Sequence, residues 1–197
     1  MYKRDSQKPE NALKYASALR KAERYNRANL VLKPFAVKGK NSDILAEYAA
    51  IHSAMGNYSV AEDYAREAVL LKPDSSQAYH ILGVALDAQG HHPQAEVAFR
   101  KALDHWTGDP APVLNNLGLN LAAQGFIDDA LDILHKAAAV SPDRREIERN
   151  IRIVSALQSQ SSRHRPIPET KPQKAVEPVP VIEDEVSAVP VAEVDAD

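Results

Sequence analysis

The chain has no cysteine among its 197 residues. Disulfides, thiolate metal ligands, a cysteine nucleophile and a lipid-bearing N-terminal cysteine are therefore all excluded. It also lacks any apolar run long enough to cross a bilayer, and its opening stretch, MYKRDSQKPENALKY, has no signal-peptide core. As written, the sequence predicts a cytoplasmic protein without a transmembrane segment; a start lying upstream would make it periplasmic or outer-membrane associated. The signatures of catalysis are missing too. There is no HExxH, no glycine-rich phosphate loop, no nucleophile elbow and no serine followed three residues later by lysine. The one adjacent histidine pair, His91-His92, has no third ligand at a metal-site spacing and reads as turn residues. Asp128-Asp129 opens a helix, where carboxylates favour the dipole. No catalytic, cofactor or metal residue is assigned, and a non-enzyme is expected.

Basic residues are scarce in the middle of the chain. From Asn41 to Asp143 five stand against fourteen acidic ones, whereas residues 1–40 carry eleven against three. This segregation gives balances of −9 and +8, a field that steers partners more than it shapes the fold. The run Arg20, Lys21, Arg24 and Arg27 has little aromatic interleaving beyond Tyr15 and Tyr25. It keeps an anion or nucleic-acid binder as the alternative from another class, and it does not carry a nucleic-acid reading on its own.

What the chain does have is periodicity. In SQAYHILGVALDAQGHHPQAEVAFRKAL, Ser76 to Leu103, Tyr79, Leu82 and Leu86 precede Gly90, and Ala95, Phe99, Ala102 and Leu103 follow it, with helical spacing on both sides. Small Gly83, Ala95 and Ala102 stand where two helices must approach. Counting back 34 from Gly90, Ala95 and Ala102 gives Gly56, Ala61 and Ala68, and counting forward 35 gives Gly125, Ala130 and Ala137. Leu82-Gly83 falls likewise on Tyr48-Ala49 and Leu117-Gly118. With this period and this order of large and small residues, residues 10–160 resemble the tetratricopeptide repeat (TPR) family. The resemblance implies an all-α solenoid, a right-handed superhelix of helical hairpins.

In chain order, residues 1–9 are expected to fray. Residues 10–41 form a degenerate first repeat, in which Glu23 replaces the turn glycine and Pro34 should kink or end the second helix. Residues 42–75 follow, with Ser42 or Asp43 as cap and Pro73 as stop, then 76–109 and 111–143. Residues 144–160 place Ile147, Ile151, Val154 and Leu157 on one helix face and supply a capping helix. From 161 to 197 six prolines, eight acidic residues and no aromatic predict a disordered acidic tail.

The resemblance also implies where a partner binds. In such folds the first helix of each hairpin lines a concave groove, whose positions here are Asp43, Ala46, Glu47, Ala50 and Ser53, then Gln77, His80, Ile81, Val84 and Asp87, then Asn115, Asn116, Leu119 and Ala122. A helical or extended protein segment is the expected occupant, with the two asparagines bonding its backbone. The alternative, that Asn115 and Asn116 simply belong to the repeat pattern, stays open here. TPR co-chaperones that grip a C-terminal carboxylate use lysines, an arginine and asparagines, and only the asparagines match. The runs LGVALDAQG and VLNNLGLNLAAQG, followed by RREIERNIRIVSALQ, resemble TadD-type proteins, TPR components of the Tad (Flp) pilus-assembly machinery of bacteria. Proteins of that family are typically exported lipoproteins that assist secretin assembly. This resemblance implies a non-catalytic adaptor for pilus assembly or secretion, with a pilus-assembly or secretin component as partner; a general TPR scaffold of another bacterial complex is the other reading. The absence of a lipid-bearing cysteine departs from that family.

Overall fold

The computed structural model describes residues 8–38 and 40–163. Among them stand nine helices and no strand: α1 Pro9–Lys21, α2 Tyr25–Ala36, α3 Ser42–Ala54, α4 Tyr58–Leu71, α5 Ser76–Ala88, α6 His92–Asp104, α7 Ala111–Ala123, α8 Ile127–Val140 and α9 Arg145–Arg163. They form four hairpins, α1–α2 to α7–α8, with α9 packed on the last. The expectations placed on residues 1–7 and 164–197 lie outside the described residues.

Each hairpin turns on one left-handed residue. Gly56, Gly90 and Gly125 take φ of 78°, 81° and 86°, where a side chain would be strained. The first hairpin makes the same turn without glycine, because Glu23 adopts φ 57°. Its degenerate sequence thus keeps the repeat geometry, at a conformational cost on the order of 1 kcal/mol.

Several local expectations are corrected. The cap of α3 is Asn41, whose side-chain oxygen accepts from the Ile44 amide at 3.0 Å. Ser42 instead donates to the Ala68 carbonyl at 2.9 Å, tying α3 to α4. Pro34 does not break α2, which runs two residues further to Ala36. The carbonyl it deprives of a donor belongs to Leu30, which is 71% exposed and so stands on the solvent side of α2. Helix α1 begins at Pro9, inside the stretch expected to fray, where proline's fixed φ suits a first helical position. Helix α9 extends to Arg163, three residues into the stretch expected to be disordered.

Small residues set the distance between paired helices. A Cβ built on Gly83 would lie 2.6 Å from the Phe99 ring, and one on Gly118 would lie 2.6 Å from Leu134 Cγ. Phe99, Leu134 and Ala95 are buried against those backbones. The first helices of successive hairpins also touch one another, α1 with α3, α3 with α5, α5 with α7 and α7 with α9, while no two second helices make comparable contact among the described residues. The side on which neighbours approach more closely is the inside of a curve. The first helices therefore line a concave wall.

Candidate functional site

The concave wall is built by register. Ser17, Ala50, Val84, Leu119 and Ile153 occupy one corresponding position of α1, α3, α5, α7 and α9, a file that grows from small to large along the solenoid. Between α3, α5 and α7 the wall hollows into a cavity of about 420 Å³, lined among others by Ala50, Ser53, Ile81, Val84, Asn116 and Leu119. A second hollow of about 410 Å³ lies nearer the N-terminus, with Lys14, Lys21, Asp43, Glu47 and Gln77 in its wall. Ile81, Val84 and Leu119 are half-buried, so apolar surface remains open to a ligand.

The polar positions of the wall are largely committed within the protein. Glu47, 3% exposed, takes a bidentate pair from Arg20 at 2.7 and 3.2 Å. The Asp87 carboxylate accepts from the Asn120 amide at 2.6 Å and meets His92 Nδ1 at 2.8 Å. Asn120 also donates to the His92 carbonyl at 3.0 Å, and Asn115 accepts from Asn150 at 2.8 Å. Asn116 Nδ2 lies 2.9 Å from His80 Nε2. His80 sits edge-on to Trp106 at 5.5 Å, and burial lowers its pKa to about 4. Neutral at ordinary pH, its Nε2 accepts the Asn116 hydrogen, which places the ring proton on Nδ1.

The expected site residues thus divide. Ala50, Val84, Asp87, Asn116 and Leu119 line the larger hollow, and Asp43, Glu47 and Gln77 the smaller. Ala46 is 1% exposed and belongs to the core between the first two hairpins, so it does not face the groove. His80 and Asn115 serve as bonds between neighbouring first helices. One end of each asparagine amide is already used inside the protein, which leaves the Asn115 amide nitrogen and the Asn116 amide oxygen for a partner's backbone. Arg20, Lys14 and Ser17 went unassigned because the groove was confined to repeats two to four. The spacing of 33 that aligns the first repeat with the second places them on Ser53, Glu47 and Ala50, and it was legible in the sequence.

A second set of bonds recurs between hairpins. Gln89 donates to Glu62 at 2.7 Å, and one repeat on Gln124 donates to Glu96 at 3.1 Å. Each closes a first helix onto the second helix of the hairpin before. At the first junction the corresponding residues are Met55 and Asn29, and Asn29 Oδ1 is buried without a partner.

Tetratricopeptide repeat models match residues 42–75 and 113–141. Over these two stretches the chain carries tetratricopeptide repeats. Tetratricopeptide repeat protein 21B of Xenopus laevis is 26% identical over 103 residues, 52% of this chain and 8% of that one, so the chain spans a small part of this relative. Among solved structures, a TPR protein of Thermus thermophilus superposes with a TM-score of 0.68 at 20% identity, over 79% of this chain and 85% of that one. PilF of Pseudomonas aeruginosa gives 0.68 at 13% identity, over 78% and 70%. YrrB, described as a TPR protein with an unusual peptide-binding site, gives 0.58 at 15% identity, over 80% and 81%. At these identities the likenesses show the fold: an all-helical TPR solenoid. Such folds generally mediate protein–protein interaction and are typically non-catalytic. No helix among the described residues is long and apolar enough to cross a membrane.

Proposed function

We propose that the protein is a non-catalytic adaptor that holds a segment of another protein along α3, α5 and α7. The observation that carries this reading is the hollow of about 420 Å³ in the concave wall. Arg20, Asp87 and Asn116 are bonded within the protein and the apolar residues are half-open, so a partner gains chiefly by burying apolar side chains against Ile81, Val84 and Leu119. Asn116 contributes part of that contact, through the amide face not bonded to His80. YrrB's peptide-binding site supports the use of this fold for a peptide. The machinery served is pilus assembly or secretion of the Tad (Flp) type, a reading that rests on the resemblance of LGVALDAQG and VLNNLGLNLAAQG to TadD-type repeats.

The test replaces Val84 and Leu119 together by Glu. Crosslinked capture of the partner should be lost while helical circular dichroism stays at the parent level, since both side chains sit at the open wall. Undiminished capture would remove the groove. In a bacterium bearing Tad pili the same double variant should reduce surface pili, and normal piliation would remove the pilus assignment while leaving the groove standing.

A further inference from the structure

Helix α9 is the first helix of a hairpin whose second helix does not follow among the described residues, and its sequence bars one from packing as the others do. At an offset of 34, Ile147 and Val154 fall on Val113 and Asn120, all four buried. In the same register Arg152 falls on Gly118, where even a Cβ would lie 2.6 Å from the packed Leu134. An arginine there keeps this face open. Arg145, Arg149 and Arg152 stand at i, i+4 and i+7, one stripe of the helix, and all three are exposed. Arg66 and Arg100 pair with glutamates one turn away, and Arg144 pairs with Asp109. Arg145 and Arg149, by contrast, meet no carboxylate among the described residues, and Arg152 reaches only the Glu148 carbonyl at 3.4 Å. Beside them Ile153, 53% exposed, and Ala156 line a shallow depression of about 720 Å³, whose one carboxylate, Glu146, is held by Arg144 at 3.4 Å.

We propose that this face of α9 is a second docking surface, and that its occupant is a short acidic helical segment of a partner protein. Three guanidinium groups at helical spacing, none meeting a carboxylate among the described residues, suit carboxylates at the same spacing, which they hold through paired N–H donors, and the apolar strip beside them takes an aliphatic side chain. A long polyanion is a poorer fit. The preceding body, residues 41–143, carries a balance of −9 and repels a strand running past the stripe, whereas a short segment need meet only α9. No residue of α9 lines the hollow between α3, α5 and α7, so failure of this surface and failure of the groove can be told apart.

The test uses the full chain and a fluorescein-labelled, end-blocked helical peptide that presents glutamates four residues apart beside a leucine stripe. Fluorescence anisotropy should show binding, the glutamine counterpart should bind at least about tenfold more weakly, and salt near 1 M, where screening acts within about 3 Å, should abolish it. The variant with Arg149→Ala and Arg152→Ala should lose binding with unchanged circular dichroism, and that with Val84→Glu and Leu119→Glu should keep it. Equal binding of the glutamine peptide, or full binding by the arginine variant, would overturn the proposal. So would an equally tight complex with single-stranded oligothymidylate, which would make the stripe a general anion site. Binding only to a chain ending at residue 163 would make this chain's own acidic residues the occupant, and would overturn it as well.

Discussion

Gly83 and Phe99 show how little freedom a single position has when two helices share a wall. The ring lies where a methyl group on residue 83 would be, at 2.6 Å, and Phe99 is 1% exposed, so it has no space to yield into. Gly83→Ala should therefore cost about 1 to 3 kcal/mol although alanine is the better helix former. Phe99→Ala should cost about 3 to 5 kcal/mol through the cavity it leaves. Urea denaturation measures both, and a Gly83→Ala variant as stable as the parent would show that the hairpin relaxes where the packing argument says it cannot. The unpaired Asn29 oxygen gives a prediction of opposite sign. Asn29→Glu with Met55→Gln reproduces at the first junction the bond that Gln89 and Gln124 make at the next two. The double variant should gain about 0.5 to 1.5 kcal/mol more than the sum of the single ones. A double-mutant cycle with no coupling would mean that the rung does not form there.

At the level of helices, the two enclosed histidines link stability to pH. His52 replaces the leucine that the repeat places at Leu86 and Leu121. Its ring packs on Tyr48 and Tyr64, and burial followed by the Lys33 charge lowers its pKa. His80 is lowered to about 4 by burial alone. For a base whose folded pKa is depressed, the unfolded chain binds the proton first. The contribution of each neutral ring is thus complete above the ordinary histidine pKa of about 6.5 and is lost as pH falls below it, for His80 down to about 4. For His80 the loss is at most about 3 kcal/mol. The parent should lose more stability between these limits than His80→Gln does, and parallel stability curves would refute the assignment. Neither histidine's role was legible in the sequence, because a core position and a groove position look alike until the neighbouring hairpin is placed. The hairpins themselves were legible: Gly56, Gly90, Gly125 and the small-large alternation around them are purely local demands of helix pairing. Caps were less so, since Asn41, Ser42 and Asp43 are all competent and only the distance to the Ala68 carbonyl decides which does what. In the groove, the family resemblance pointed to Val84, Leu119 and Asn116, which line the hollow, while the commitment of Glu47 to Arg20 required the position of the first hairpin.

Across the described domain, the two ends of the solenoid are closed by different means. The N-terminal hairpin reaches the second through Ala28, Leu32, Ala36 and the Arg20–Glu47 pair, but it lacks the glutamine rung and keeps an unpaired polar atom inside. At the other end α9 lays Ile147 and Val154 on Ala111, Val113 and Ala137, with Asn150 bonded to Asn115. Native-state hydrogen exchange should therefore show α1 and α2 opening at lower free energy than α5 to α8, where every junction has its rung. The role of α9 is tested by comparing a chain ending at residue 163 with one ending at residue 143. Removing the helix uncovers the apolar face of the last hairpin and forfeits the burial of Ile147 and Val154, about 1.5 to 3 kcal/mol for each side chain. The shorter chain should melt several degrees lower and should associate in analytical ultracentrifugation, because an uncovered hairpin face is complementary to another copy of itself. The longer should behave as the parent does. If both truncations were equally stable and monomeric, α9 would not be a cap, and its arginine stripe would have to be explained without the open end that frames it.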